Sequence, residues 1–186
     1  FALTAEEREQ IAACLNPLET GMMGSIEIPK IDVNLPIYQG TEEQQLQSGC
    51  GWWPGTSLPT GGSGTHCVIT AHTGLTKAKL FTDLDRLETG DRFTLHILDR
   101  DMNYEVDQIL VTEPEELAPL RIVPGEDLVS LYTCTPYGVN SHRLLVRGHR
   151  VEAEEADTER SFAWWSIPVA AVFPILWLLR RIKRQK

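Results

Sequence analysis

Between Gly24 and Val151 the chain is cut into short apolar runs by glycine, proline and asparagine. Short Ile- and Val-rich runs bounded by such residues read as strands. The candidates are Ser25–Ile28, Leu35–Tyr38, Cys67–Ala71, Arg92–Leu98, Asn103–Val111, Leu128–Cys134 and His142–Arg150. Before the C-terminal region, helix is predicted in only two places. Residues 5–15 carry good helix formers behind Thr4, a capping residue with Glu7 three positions on, and Asn16-Pro17 stops them. Ala78–Leu87 reads as a short helix, and Gly55–Gly64 as a turn-rich loop. Many short strands with so little helix imply a mostly β, closed or nearly closed barrel rather than a βαβ sheet. At 186 residues there is room for one such domain with a proper core.

Charge divides the rest. Residues 1–160 hold all 26 acidic side chains against 12 basic ones, a net charge of −14. Such a surface argues against nucleic acid as a partner. Ser161–Leu179 is a run of 19 residues without a charge, and Arg180–Lys186 adds five positive charges and no acid. As a helix, the uncharged run is about 28 Å long, close to the ~30 Å hydrocarbon core of a bilayer. Trp164 and Trp165 suit an interfacial belt, and the basic tail fits the positive-inside rule. The expected organisation is therefore an N-terminal helix (1–20), a barrel (21–151), an acidic tether (152–160), a transmembrane helix (161–179) contacting membrane lipid, and a basic cytoplasmic tail (180–186). This places the protein in the plasma membrane with the barrel outside the cell. Beginning at Phe1 rather than Met, the chain reads as a processed or truncated piece.

Three residue types in strand-end settings suggest chemistry. Cys134 closes the apolar run Leu128–Tyr132 and precedes Thr135-Pro136, which puts its sulfur at a barrel rim. His72 lies before Thr73-Gly74, also at a rim. Arg143 opens the last strand, on one face with Leu145 and Arg147. A thiol, an imidazole and a guanidinium brought together make an acyl-transfer site through a thioester. Each alone is a weak signal, since strand cysteines are commonly inert and His66, His96, His142 and His149 compete with His72. The four cysteines, Cys14, Cys50, Cys67 and Cys134, show no metal spacing, and a Cys50–Cys67 bridge is left open.

Ser130-Leu-Tyr-Thr-Cys134 resembles the TLxTC signature of the sortases, with Ser130 where Thr is usual. The segment Thr133–Gly148 is similar to that of class C, the pilus-building sortases. Gly24–Thr41, Gly55–Leu75 and Lys79–Asp91 resemble the same class. Ala71 stands where Gly commonly precedes the histidine. The class usually carries an Asp-Pro-aromatic lid, and no Asp-Pro occurs here; Phe1 is the candidate remnant of a lid. The resemblance implies a closed eight-stranded barrel and a cysteine transpeptidase needing no metal or organic cofactor. It implies Cys134 as nucleophile, His72 as general acid and base, and Arg143 as oxyanion or substrate ligand. Thr133 and Thr135, flanking the cysteine, are the candidate substrate-binding residues. The implied partners are secreted pilin or surface proteins bearing an LPxTG-like signal, with a pilin lysine as acceptor. Anchoring to cell-wall peptidoglycan, thiol hydrolysis, and a silent extracellular binding module are the alternatives.

Overall fold

A computed structural model of the chain describes residues 20–74 and 78–152, together with Thr4, Glu6 and Gln10. The predicted lid residue Phe1, the transmembrane run 161–179 and the basic tail 180–186 lie outside the described residues, as does the tether beyond Glu152. Of the predicted helix 5–15, only Glu6 and Gln10 are described, and both are helical. Among the described residues no helix is long and apolar enough to cross a membrane.

Eight strands form: β1 (Met22–Ile28), β2 (Val33–Gln39), β3 (Cys50–Trp52), β4 (Thr65–Thr70), β5 (Arg92–Ile97), β6 (Arg100–Thr112), β7 (Asp127–Thr135) and β8 (His142–Val151). A single helical turn, α1 (Glu43–Leu46), joins β2 to β3. The order round the sheet is β1-β2-β3-β4-β7-β8-β6-β5, and β5 pairs back onto β1 to close the barrel. Closure removes the free edges that would otherwise template association.

Seven of these strands are legible as apolar runs. The eighth, β3, is three residues long and contains glycine, so periodicity gives no sign of it. It is nonetheless the link between β2 and β4, parallel to the first and antiparallel to the second. The helix expected over Ala78–Leu87 is not there. Leu80 takes φ 40°, outside the right-handed helical region, and only Leu84–Arg86 forms a 3₁₀ turn. Leu80, Phe81, Leu84 and Leu87 are all buried, so the segment spends its apolar side chains in the barrel core. That burial outweighs local helix propensity.

The core fills the barrel with Ile26, Ile37, Trp52, Phe93, Leu95 and Leu131 among others, each at most 1% exposed. Burying one large apolar side chain is worth roughly 1.5–3 kcal/mol. Phe93 stacks on Tyr104 at 5.5 Å between ring centres. Gly148 of β8 makes room for that pair, since a Cβ there would lie 2.7 Å from the Phe93 ring.

A second apolar layer lies outside the barrel wall. Val68 of β4, Tyr132 of β7 and Leu145 of β8 pack under Leu117 and Leu120 from the connection between β6 and β7. Trp53 meets Tyr132 edge-on at 5.2 Å. Strands β4 and β7, side by side and parallel, are thus buried on both faces. This accounts for their unbroken apolar runs, which alternation alone would not give.

Cys50 and Cys67 are free, buried thiols, so no bridge joins them. The β3–β4 ladder explains why. Gly51 faces Thr70 and Trp52 faces Ile69, so Cys67 stands four positions along from the residue opposite Cys50. At ~3.4 Å per residue that offset is about 14 Å, against a bridging limit near ~7 Å between Cα atoms. Burial pushes both thiols well above the usual cysteine range. Alkylation without reductant should leave Cys50 and Cys67 unmodified in the native protein and modify both in denaturant. Mass spectrometry that found the pair disulfide-linked in denaturant would contradict the register.

Candidate active site

Parallel pairing of β4 with β7 builds the site. The register runs from Thr65 opposite Asp127 to Thr70 opposite Tyr132. Continued two residues past the end of β4, it sets His72 beside Cys134. On the other flank, antiparallel pairing of β7 with β8 puts Arg143 directly opposite Cys134. Imidazole, thiol and guanidinium residues therefore sit abreast on three neighbouring strands, at one level of the wall.

Alternation decides which way they face. Val129 and Leu131 belong to the barrel core and Thr133 is 3% exposed, whereas Tyr132 belongs to the outer layer. Cys134 follows the outer set and is only half-buried. Arg143 follows Leu145 to the same side. The Tyr132 hydroxyl bonds the Arg143 side chain and feels Cys134. Burial pushes its pKa up, the Arg143 guanidinium opposes this, and the neighbouring Cys134 adds to it. Tyr132 is thus within electrostatic reach of both partners.

Each side chain has its own support. Thr133 donates to the Ala71 carbonyl at 2.7 Å and meets the Thr73 hydroxyl at 2.6 Å. These bonds hold the residues on either side of His72 against β7. Thr133 therefore clamps the imidazole strand to the cysteine strand, and it also lines the cleft beside Cys134. Thr135 lines the cleft beside Cys134, where contact with substrate is geometrically open to it. Arg143 directs one terminal nitrogen back to the carbonyls of Asn140 and His142, at 3.0 and 2.9 Å. His72 bonds through Nε2 to the Glu43 carboxylate of α1 at 3.1 Å. Glu43 is held below the usual carboxylate range, first by its bond from Gln47 and then by His72. Nothing in the sequence pointed to Glu43, which lies 29 positions away in a polar stretch.

The competing histidines are placed elsewhere. His66 is 1% exposed and bonds Ser130 Oγ at 2.7 Å and the Arg121 carbonyl at 2.9 Å; its pKa is lowered chiefly by burial. It is a core histidine of the outer layer. His96 pairs with Asp101 on the β5–β6 hairpin, and His142 with Ser141 and Glu113.

Beside Cys134 opens a cleft of about 250 Å³, lined in part by Phe81, Asp85, Tyr137 and Leu144. Tyr137 leans on Gly74, two residues beyond His72; a Cβ on Gly74 would lie 2.8 Å from its ring, and Gly74 takes φ 80°. The Gly requirement is therefore double, in space and in backbone conformation. Among the described residues no cluster of His, Cys, Asp and Glu could hold a metal ion.

Residues 26–151 match the sortase domain family. Sortase D of Bacillus subtilis is 27% identical over 137 residues, covering 72% of this chain and 66% of the relative. Sortase A of Streptococcus agalactiae is 28% identical over 117 residues, covering 61% and 47%. The chain thus spans about half to two thirds of these relatives. Among solved structures, sortase C1 of Streptococcus agalactiae superposes with a TM-score of 0.82 at 49% identity, covering 83% of this chain and 80% of that one. Sortase C-1 of Streptococcus pneumoniae gives 0.71 at 57% identity, covering 72% and 69%. A pilus-related sortase C of group B Streptococcus gives 0.71 at 46% identity, covering 72% and 69%. Barrel closure, strand order and these matches lead to one conclusion: the chain belongs to the sortase family, and its structural neighbours are class C members.

Proposed function

We propose that this protein is a membrane-anchored cysteine transpeptidase that cleaves an LPxTG-like sorting signal and joins the Thr carbonyl to a lysine of a pilin subunit. The observation that carries the reading is the register that aligns His72, Cys134 and Arg143 on adjacent strands. The pilus-related structural neighbour supports the choice of acceptor.

The chemistry follows from the placement. Cys134 gives up its proton to His72 and attacks the Thr carbonyl carbon. The oxygen takes the charge and is met by the free end of the Arg143 guanidinium, whose orientation is fixed by the two carbonyls it already holds. His72 protonates the departing Gly amine as the C–N bond breaks, leaving a thioester on Cys134. The lysine amine then attacks that thioester while His72 takes a proton from it, and the sulfur leaves. No cofactor is needed for either half. Residues 161–179 are proposed to anchor the chain in the plasma membrane, with the barrel outside and the tail from Arg180 in the cytoplasm. The uncharged run and the five following positive charges support this.

Replacing Cys134 by Ala should abolish release from a fluorogenic LPxTG peptide while the circular dichroism spectrum stays that of the parent. His72→Ala and Arg143→Ala should each reduce turnover by at least ~10²-fold. The same change at His96 or His149 should cost far less. A loss at His142 equal to that at His72 would reassign the general base.

The acceptor is tested by mixing the full chain, in detergent, with a candidate pilin carrying a sorting signal. Ladders that survive boiling in detergent, with a Thr–Lys isopeptide bond by mass spectrometry, are the expected result. Transfer only to a peptidoglycan-type amine would make the protein a wall-anchoring sortase. Release of free Thr carboxylate alone would make it a hydrolase.

A further inference from the structure

The acid residues around the mouth of the barrel are unequal. Asp83 is held by Lys79 at 3.0 Å and by Arg86 at 3.4 Å. Glu88 and Asp91 share Lys30, at 2.7 and 2.8 Å. Among the described residues, Asp85 alone of this group has no cation. Yet Asp85, an exposed residue, is the one of the group that lines the cleft beside Cys134. Phe81, Leu144 and Tyr137 give the wall an apolar and aromatic side, among the threonines Thr73, Thr82, Thr133 and Thr135. The cleft's lining includes Cys134 itself and Thr73, the residue after His72, so an occupant reaches the sulfur beside the strand end that carries the imidazole.

We propose that this cleft is the subsite for the acceptor amine, with Asp85 as counter-charge to an incoming lysine ammonium and the apolar wall as the bed for its methylene stem. The proposal rests on the transpeptidase reading above. An aliphatic ammonium is charged at neutral pH, and an unpaired carboxylate beside an apolar channel favours it over water and over uncharged nucleophiles. The aromatic face of Tyr137 adds a cation–π contribution. The steps balance as follows. The ammonium sheds one proton to solvent, and the neutral nitrogen adds to the thioester carbonyl carbon. His72 removes a second proton from that nitrogen. Collapse then breaks the C–S bond and returns the electron pair to Cys134, which the imidazolium reprotonates. Because the leaving Gly amine and the arriving lysine amine occupy mirrored positions in one reaction, the cleft on the amine side must admit both. Only the lysine has a stem long enough to use the apolar wall.

The test is a competition for one thioester. The full chain, loaded from an LPxTG peptide, is offered a lysine-bearing peptide and hydroxylamine together, and amide and hydroxamate are counted by mass spectrometry. Both acceptors meet the same acyl-enzyme, so poor folding or slow acylation changes the amount of product but not the ratio. Asp85→Asn should lower the amide-to-hydroxamate ratio about two- to fivefold, the size of a good ion pair at an exposed site. Asp85→Lys should lower it further. Raising salt should erode the preference in the parent and leave the Asp85→Asn ratio flat. An unchanged ratio in Asp85→Asn overturns the subsite while leaving transpeptidation intact. Hydroxamate without any lysine amide from the parent overturns the lysine acceptor and the subsite with it. No amide and no hydroxamate from the parent overturns the transpeptidase reading itself.

Discussion

Everything at the site depends on β4 and β7 lying side by side and parallel. Strand β4 ends in the sequence that carries His72, and β7 ends in the sequence that carries Cys134. Parallel strands run the same way, so both ends arrive at the same rim. An antiparallel pairing would put the imidazole and the thiol at opposite ends of the wall. Parallel pairing demands a long crossover, and the chain supplies it with the hairpin β5–β6 and the connection that follows. It also demands cover on both faces. The core covers one, and Leu117 and Leu120 with their neighbours cover the other.

The β6–β8 ladder shows how the outer layer is held. Register slips by one between Val106 and Gln108, so Asp107 is an extra residue on β6. The bulge changes which side chains of β6 face the core: Met102, Tyr104 and Val106 before it, and Leu110 on the outer layer after it. The Asp107 carboxylate grips Arg147 through two bonds of 3.0 and 2.8 Å. Arg147 lies opposite Ser130, which in turn meets buried His66. Two polar pairs, Asp107 with Arg147 and Ser130 with His66, thus sit on neighbouring strands of the outer face, in line with Tyr132 and Cys134 on β7.

How far the sequence discloses this differs with the physical range of each feature. The strands were legible because their apolar runs and glycine or proline stops are local properties. Cys134, His72 and Arg143 stood out as strand-end residues, and the resemblance in Ser130–Gly148 bound them together. What escaped is non-local. β3 forms because β2 and β4 leave a gap that Cys50–Trp52 fills, not because those residues favour a strand. Ala78–Leu87 has helical spacing but is recruited to plug the barrel, so Leu80 is bent away from helix. Thr133 reads as a substrate contact beside a cysteine, and only the fold shows its hydroxyl engaged with Ala71 and Thr73. Glu43 and Asp85 are ordinary acids in an acidic chain until the topology sets them beside His72 and Cys134.

The two buried thiols bear on how the proposed nucleophile, Cys134, survives in its own protein. Thiol–disulfide exchange needs a thiolate and a line of approach between sulfurs. Cys50 and Cys67 offer neither: burial keeps their protons on, and both belong to the barrel core while Cys134 follows the outer set. The sheet itself stands between the reactive sulfur and these two. Oxidation of Cys134 to a sulfenic acid therefore finds no resolving partner in the barrel core to trap it as an internal disulfide. Its recovery would fall to a small thiol from outside, and access to the cleft would set the rate of repair.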